Sequence, residues 1–111
     1  MEYYAGLDVS LRSCALCIVD SKGAILLERE LICDVDEITN CFKGFAHPIV
    51  RIGFEADTMS QHLYYGLTND GFNVVCMEAR QLSAALSPMR NKTDKNYARV
   101  IAKILRTGWF N

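Results

Sequence analysis

The sequence contains no apolar run that approaches the roughly 18 residues of a membrane-spanning helix. Its first residues, Met-Glu-Tyr-Tyr, have neither the basic segment nor the long apolar segment of a secretory signal peptide. Internal repeats, low-complexity segments and linkers are also absent. We therefore expect a cytoplasmic protein, and the 111 residues predict a single domain with a modest core.

Evidence for disulfide bonds is lacking as well. The cysteines are five in number, at positions 14, 17, 33, 41 and 76. An odd number without a secretory signal favours a reducing compartment. Cys14 and Cys17 form a CxxC pattern, but their odd separation along a predicted strand directs the two thiols to opposite faces. We expect small buried side chains here rather than a zinc or redox site.

Charge is distributed unevenly along the chain. Residues 1–79 contain 12 Asp and Glu but only 5 Lys and Arg, a net charge of -7. Residues 80–111 contain 7 Lys and Arg but only one acid, a net charge of +6. This asymmetry indicates a polyanionic partner for the basic end of the chain, with a solvated basic helix as the alternative.

Hydrophobic periodicity and turn residues predict the element order βββαβαβα. The predicted strands cover residues 3–9, 14–19, 24–32, 49–54 and 72–77. The predicted helices run from Asp34 or Asp36 to Phe45, from Thr58 to Asn69, over 79–86, and from Asp94 to Thr107. Short turns favour an antiparallel meander for the first three strands. The first, fourth and fifth strands are expected to be parallel and central in a five-stranded mixed sheet with helices on its faces.

Several residues are expected to limit and orient these helices. Ile38, Cys41, Phe42 and Phe45 form the apolar stripe of the first helix. Thr58-Met-Ser-Gln61 resembles a capping box for the second helix. Gly71 is placed to end that helix in a left-handed conformation.

Three acidic residues occupy positions from which their side chains can converge. Asp8 ends the apolar strand Tyr3-Tyr-Ala-Gly-Leu-Asp8, and Glu55 ends Ile49-Val-Arg-Ile-Gly-Phe-Glu55. Asp94 opens the last helix. Ligand chemistry in mixed sheets gathers outside the carboxyl ends of parallel strands. Carboxylate oxygens suit Mg²⁺ or Mn²⁺, so the pattern predicts a metal site formed by these three residues.

The last helix carries two stripes at three- and four-residue spacing. Asp94, Tyr97, Ile101 and Ile104 share one side, which predicts a carboxylate near the metal followed by core contacts. A basic stripe lies beside it, and two further cations precede the helix. This candidate nucleic-acid surface comprises Arg90, Lys92, Lys95, Arg99, Lys103 and Arg106.

Other candidate residues carry less weight. His47 and His62 have no partner at ligand spacing and are expected at the surface or at helix ends. Asp57 is expected to be a cap or loop residue, with a metal role as the lesser alternative. Ser10 and Ser60 have no His or Lys at motif spacing, so no nucleophile is predicted.

Three segments together resemble a known family. They are Tyr4-Ala-Gly-Leu-Asp-Val-Ser10, Gly53-Phe-Glu-Ala56 followed by a Leu-Tyr helix, and Asn91-Lys-Thr-Asp-Lys-Asn-Tyr-Ala-Arg-Val-Ile-Ala102. They resemble the N-terminal domain of the DEDD insertion-sequence transposases, the IS one-ten family, which are relatives of the Piv DNA invertase. The third segment is the most specific, and the resemblance spans nearly the whole chain.

This resemblance implies a RuvC-like, ribonuclease-H-type fold in which four acids hold divalent metal and act on DNA strands during recombination. Asp8, Glu55 and Asp94 match the first three acids, and Tyr97 stands where the fourth is expected. A phenol is neutral at pH 7, so we expect weak binding of Mg²⁺ or Mn²⁺ and little or no catalysis by this chain alone.

The resemblance also carries expectations about partners and extent. Family members act on DNA as homo-oligomers, and an element-encoded structured RNA is a further expected partner. They also have a C-terminal domain with a serine implicated in strand exchange. Because this chain stops at Asn111, we expect either a shortened protein or the decayed remnant of an element.

Two other hypotheses remain open from the sequence. One is a nucleic-acid-binding or oligomerisation module that never cleaves, which binding of Mg²⁺ and nucleic acid without cleavage would favour. The other is half of an actin-like or sugar-kinase-like phosphotransferase, suggested only by Gly6-Leu-Asp-Val-Ser10 and favoured by ATP binding. It requires a second nucleotide-binding lobe, for which 111 residues leave no room.

Overall fold

The computed structural model describes residues 1–10, 12–56, 60–78, 80, 82 and 94–108, with the side chains of 94–96 outside that description. Its strands are β1 (Tyr3–Val9), β2 (Ser13–Asp20), β3 (Ile25–Ile32), β4 (Arg51–Glu55) and β5 (Val74–Met77). Its helices are α1 (Val35–Lys43), α2 (Gln61–Asn69) and α3 (Asp94–Thr107). Of the helix predicted over 79–86, only residues 80 and 82 are described, and both are helical. None of the helices in these ranges is both long and apolar enough to cross a membrane.

The five strands form one mixed sheet in the order β3-β2-β1-β4-β5. Pairing is antiparallel between β1 and β2 and between β2 and β3, and parallel between β1 and β4 and between β4 and β5. The predicted meander and mixed sheet are therefore confirmed. The prediction that β5 is central is wrong. The strands β2 and β4 flank β1, and β5 lies at the edge of the sheet beside β4.

Alternate residues of the strands face two separate cores. Tyr3, Ala5 and Leu7 of β1 pack in the core that α1 and α2 cover, whereas Tyr4 packs in the core that α3 covers. Cys14 belongs to the first core and Cys17 to the second, and both are buried thiols. The opposite orientation predicted for these two thiols is confirmed, and it excludes a shared metal ion or a disulfide between them.

The first helix begins one residue after its cap. Asp34, not Asp36, is the N-cap residue, and its Oδ2 accepts a hydrogen bond of 3.2 Å from the amide of Glu37. Ile38 and Phe42 are buried beneath the helix as the stripe predicts. The helix ends at Lys43, two residues before the predicted end.

The two ends of α2 differ in how well the sequence predicted them. The helix begins at Gln61, later than the start predicted from Thr58. Its N-cap residue is Ser60, whose side chain makes no capping hydrogen bond. Thr58 itself lies outside the described residues. At the other end Gly71 has a φ of 93°. The amides of Gly71 and Phe72 donate to the carbonyls of Thr68 and Leu67, at 3.0 and 3.1 Å. This is a Schellman motif, which confirms the predicted left-handed cap.

A glycine in the central strand allows α3 to pack directly on the sheet. A Cβ atom at Gly6 would overlap the carbonyl oxygen of Ala98 and lie 2.6 Å from the amide nitrogen of Ala102. The adjacent Gly53 is covered by Leu105 of the same helix. The backbone of α3 therefore lies against β1, on the face of the sheet that carries alternate residues from Tyr4 onward.

Candidate functional site

Asp8 and Glu55 lie at equivalent positions on neighbouring parallel strands. The register of β1 and β4 pairs Tyr4 with Arg51, Ala5 with Ile52 and Gly6 with Gly53. Two residues further along each strand are Asp8 and Glu55, which continue the same face. Adjacent strands are about 4.8 Å apart, so both carboxylates emerge at one edge of the sheet beside α3. Both residues are half-buried.

Tyr97 of α3 contacts the edge of the sheet that carries Asp8 and Glu55. Its hydroxyl donates a hydrogen bond of 2.5 Å to Oε2 of Glu55. Burial, this hydrogen bond and the negative charges of Glu55 and Asp8 together raise the pKa of Tyr97 above its ordinary value. Asp8, on the strand beside Glu55, and the Tyr97 hydroxyl on Glu55 make one polar cluster at this edge.

The third predicted acid is located only through its backbone. Asp94 is the first residue of α3, one turn before Tyr97, and residues three apart share a side of a helix. Its side chain lies outside the described part of the chain, as does all of Asp57. The structure therefore brings together Asp8, Glu55 and position 97 of the predicted site, and places Asp94 at the helix end nearest to them.

The acids of this edge offer the type of ligand atom that a hard divalent cation takes. Asp8 and Glu55 supply carboxylate oxygens, the ligands that Mg²⁺ and Mn²⁺ prefer. Among the residues that the structure describes, no three His, Cys, Asp or Glu side chains are grouped closely enough to hold a metal ion. Oε2 of Glu55 already accepts the Tyr97 hydroxyl. Two acids with one oxygen engaged make a weaker site than four acids would.

The basic stripe of α3 has contacts that the sequence did not reveal. Arg99 forms a bidentate pair with Glu28 of β3, from Nε to Oε2 at 2.6 Å and from Nη2 to Oε1 at 2.7 Å. Nη1 of Arg106 donates to the carbonyl of Ser21 at 3.3 Å. Lys103 is exposed. Arg90, Lys92 and the side chain of Lys95 lie outside the described residues. Glu28 and Glu30 share one face of β3, and this pair of acids is the sequence signal that could have suggested a basic partner on α3.

The structure also shows the surroundings of His47, His62 and Ser10, the remaining polar candidates. His47 stacks on Tyr3 with ring centroids 4.5 Å apart and planes inclined by 8°. His62 is exposed at the start of α2. Ser10 donates from Oγ to the carbonyl of Ser13 at 2.7 Å, which closes the turn between β1 and β2. These contacts account for Ser10 and His47 within the fold.

The comparison with protein families decides the identity of the domain. Residues 5–110 match the family of IS110-type DEDD transposases, which is described as "Transposase". The chain belongs to this transposase family. The match includes the three segments that carried the resemblance, apart from Tyr4, and it decides against the sugar-kinase-like hypothesis. The comparison with curated proteins gives no match.

Solved structures show the fold of this transposase domain. RuvC of T. thermophilus in complex with a Holliday junction substrate aligns with a TM-score of 0.66 and 12% identity over 97% of both chains. A second Thermus thermophilus RuvC structure aligns with a TM-score of 0.62 and 15% identity over 96% of both chains. A ROK family glucokinase from Streptomyces griseus, in complex with glucose and AMPPNP, aligns with a TM-score of 0.56 and 19% identity, over 75% of this chain and 35% of that one. The transposase domain thus has the ribonuclease-H-like, RuvC-like fold that the sequence predicted.

Proposed function

We propose that this DEDD transposase domain binds DNA, holds Mg²⁺ or Mn²⁺ weakly through Asp8, Glu55 and Asp94, and by itself cleaves DNA poorly or not at all. The hydrogen bond from Tyr97 to Glu55 is the observation that carries the proposal. It occupies an oxygen of one proposed ligand with a neutral donor, at the position where the family resemblance implies a fourth acid.

Tyr97 weakens the proposed site in two ways. An acid at this position would add a negative charge and two ligand oxygens, whereas a phenol adds neither at neutral pH. Ionisation of the phenol is also disfavoured, since burial and the two nearby carboxylates raise its pKa. The Tyr97 hydroxyl takes one of the acceptor sites of the Glu55 carboxylate, so a cation there would bind Oε1 or share Oε2 with the phenol.

The carboxylates have a further role that is compatible with DNA chemistry. A divalent cation held by them would supply Lewis-acid stabilisation of charge at a scissile phosphate. Without such neutralisation, Asp8 and Glu55 repel the phosphate backbone at this edge of the sheet. DNA binding by the domain is therefore expected to depend on divalent cations close to the acids and on exposed basic residues such as Lys103 elsewhere.

Family membership and fold support DNA as the partner. The most informative structural neighbour is a RuvC bound to a Holliday junction, a four-way DNA. The charge of +6 on residues 80–111 supports contact with a polyanion. Branched DNA is thus the substrate class to test first, with linear duplex as the comparison.

A second candidate function is a nucleic-acid-binding or oligomerisation module without any catalytic role. The hydrogen bond at Glu55 favours it too, because the neutral Tyr97 donor stabilises that carboxylate without a metal ion. The two candidates differ in one measurable property, which is whether divalent cations bind at Asp8 and Glu55.

Calorimetric titration of Mn²⁺ into the unmodified domain and into Tyr97→Asp tests the proposal. We expect weak binding by the unmodified domain and tighter binding by Tyr97→Asp, since the new carboxylate faces the same edge. Metal-free Tyr97→Asp should also be less stable than the unmodified domain and recover on addition of Mn²⁺, because like charges repel until a cation neutralises them.

Two controls sharpen this test. Asp8→Asn should abolish the gain seen in Tyr97→Asp if both residues share one cation. Cleavage of four-way and linear DNA should be measured with the same proteins. Tight Mn²⁺ binding and rapid cleavage by the unmodified domain would overturn the proposal, whereas DNA binding without any Mn²⁺ binding would favour the second candidate.

A further inference from the structure

Helix α3 is held from opposite sides by two carboxylates of the sheet. The helix packs over β1 and β2, the two strands in the middle of the β3-β2-β1-β4 part of the sheet. Tyr97 reaches outward to Glu55 on β4, and Arg99 reaches the other way to Glu28 on β3. Residues two apart project about 200° from each other around a helix axis, so these contacts oppose one another.

We propose that the Glu28–Arg99 ion pair is a positioning contact of the candidate site, which sets the rotation of α3 about its axis and thereby holds the Tyr97 hydroxyl on Glu55. Only the expected effect on Mn²⁺ affinity rests on the proposed function; the effect on the Tyr97–Glu55 hydrogen bond does not. Arg99 projects from the side of α3 opposite Tyr97, so the ion pair acts on the Tyr97–Glu55 contact through the helix.

The contact at Gly6 explains why the helix needs such a restraint. The backbone of α3 around Ala98 and Ala102 lies against a glycine, which has no side chain to interlock with the helix. A smooth contact of this kind fixes the distance between helix and strand but opposes rotation weakly. Resistance to rotation must come from side chains at the flanks, where Leu105 packs on Gly53 of β4. Tyr97 and Arg99 add hydrogen bonds to β4 and β3, which fix the rotation more narrowly than apolar packing does.

The geometry of the ion pair suits this role. Two parallel N–H···O bonds of 2.6 and 2.7 Å fix both the distance and the orientation of the guanidinium plane. A single lysine–carboxylate contact would fix only a distance. The Arg99 and Glu28 side chains are 33% and 21% exposed, so water screens the pair only in part.

The same contact changes what Arg99 can do for nucleic acid. Its Nε and Nη2 are both engaged by one carboxylate, which leaves the guanidinium less able to contact a phosphate. Arg99 therefore contributes to the site chiefly by orienting Tyr97.

The experiment compares Glu28→Gln, Tyr97→Phe and the double variant, first without metal. Ultraviolet resonance Raman spectra report the hydrogen bond of the Tyr97 hydroxyl after subtraction of the Tyr97→Phe spectrum. We expect Glu28→Gln to weaken or abolish the strong hydrogen-bond donor signature. Arg99→Lys, which keeps the charge but loses the bidentate geometry, should do the same and serves as the second variant if Glu28→Gln does not fold.

Mn²⁺ affinity then completes a double-mutant cycle. Glu28→Gln should shift the affinity in the same direction as Tyr97→Phe, and its effect should be at least about threefold smaller when position 97 is already Phe, because contacts that share a network are not additive. Additive effects, or an unchanged Raman signature in both Glu28→Gln and Arg99→Lys, would overturn the proposal.

Glu30→Gln is the matched control. Glu30 lies two residues further along β3 on the same face and pairs with Ala15, so the substitution removes a charge from the same strand without disturbing the bidentate pair. It should leave the Tyr97 signature intact, and an equal loss in Glu30→Gln would mean that general electrostatics, not positioning, is responsible. If the unmodified domain binds no Mn²⁺, the proposed metal function fails, while the metal-free spectra still decide the positioning role.

Discussion

Gly6 and Gly53 lie directly opposite one another in the parallel pairing of β1 and β4, and α3 packs on both. Two residues later in the same strands come Asp8 and Glu55. The glycines bring the helix close to the sheet, and the acids then emerge where the helix begins. The close approach of α3 is therefore what places Tyr97 within hydrogen-bonding distance of Glu55.

Gly6→Ala tests this dependence on close packing. The added methyl group would meet backbone atoms of Ala98 and Ala102, which cannot move without displacing α3. We expect the free energy of unfolding, measured by urea denaturation, to fall by about 3 kcal/mol. Gly44→Ala is the control, because its Cβ would lie 3.6 Å from the nearest atoms at a φ of -77°, and it should change stability by less than about 0.5 kcal/mol. Equal losses in both variants would contradict the packing argument.

The raised pKa of Tyr97 predicts how stability depends on alkaline pH. The unfolded chain releases this phenolic proton at about pH 10, before the folded domain does. The contribution of Tyr97 to stability is therefore complete below about pH 10 and is lost as pH rises further. Tyr97→Phe should remove this part of the alkaline decline, so its stability curve should be flatter above about pH 10.

The same variant has a measurable effect at neutral pH. Loss of the hydrogen bond to the Glu55 carboxylate should lower the free energy of unfolding by about 1–2 kcal/mol at pH 7. Tyr65→Phe is the control, since Tyr65 is 66% exposed. Parallel alkaline curves for the unmodified domain and Tyr97→Phe would show that the Glu55 contact does not form in solution.

The salt dependence of DNA binding distinguishes Lys103, which is exposed on α3, from Arg99, which is paired with Glu28. Lys103→Gln should lower the slope of log affinity against log salt by about 0.9 on a four-way DNA junction if Lys103 contacts a phosphate. Arg99→Gln should lower it less, because Glu28 already engages the guanidinium. Lys43→Gln, an exposed lysine at the end of α1, is the control and should leave the slope unchanged. A larger effect from Arg99 than from Lys103 would mean that DNA displaces Glu28.

Local chemistry explains which parts of the fold could be predicted from the sequence. Strand alternation placed Cys14 and Cys17 in opposite cores, and a glycine after an amphipathic stripe predicted the Schellman motif at Gly71. The segment around Asp94 predicted both the start of α3 and the transposase family. Each of these features depends on residues within a few positions of one another, where backbone geometry alone relates the side chains.

The pairing of distant residues was decided only by the tertiary structure. The bond between Arg99 and Glu28 joins residues 71 positions apart, and the bond between Tyr97 and Glu55 joins residues 42 apart. Spacing along α3 indicated that position 97 shares a side with Asp94, but not that its hydroxyl would occupy Glu55. Periodicity likewise assigned Arg99 to a candidate nucleic-acid surface, since it specifies a direction around the helix and not the strand beneath it. Because Gly6 has no side chain, the backbone of α3 packs close to β1. This close packing determines which carboxylates Tyr97 and Arg99 reach.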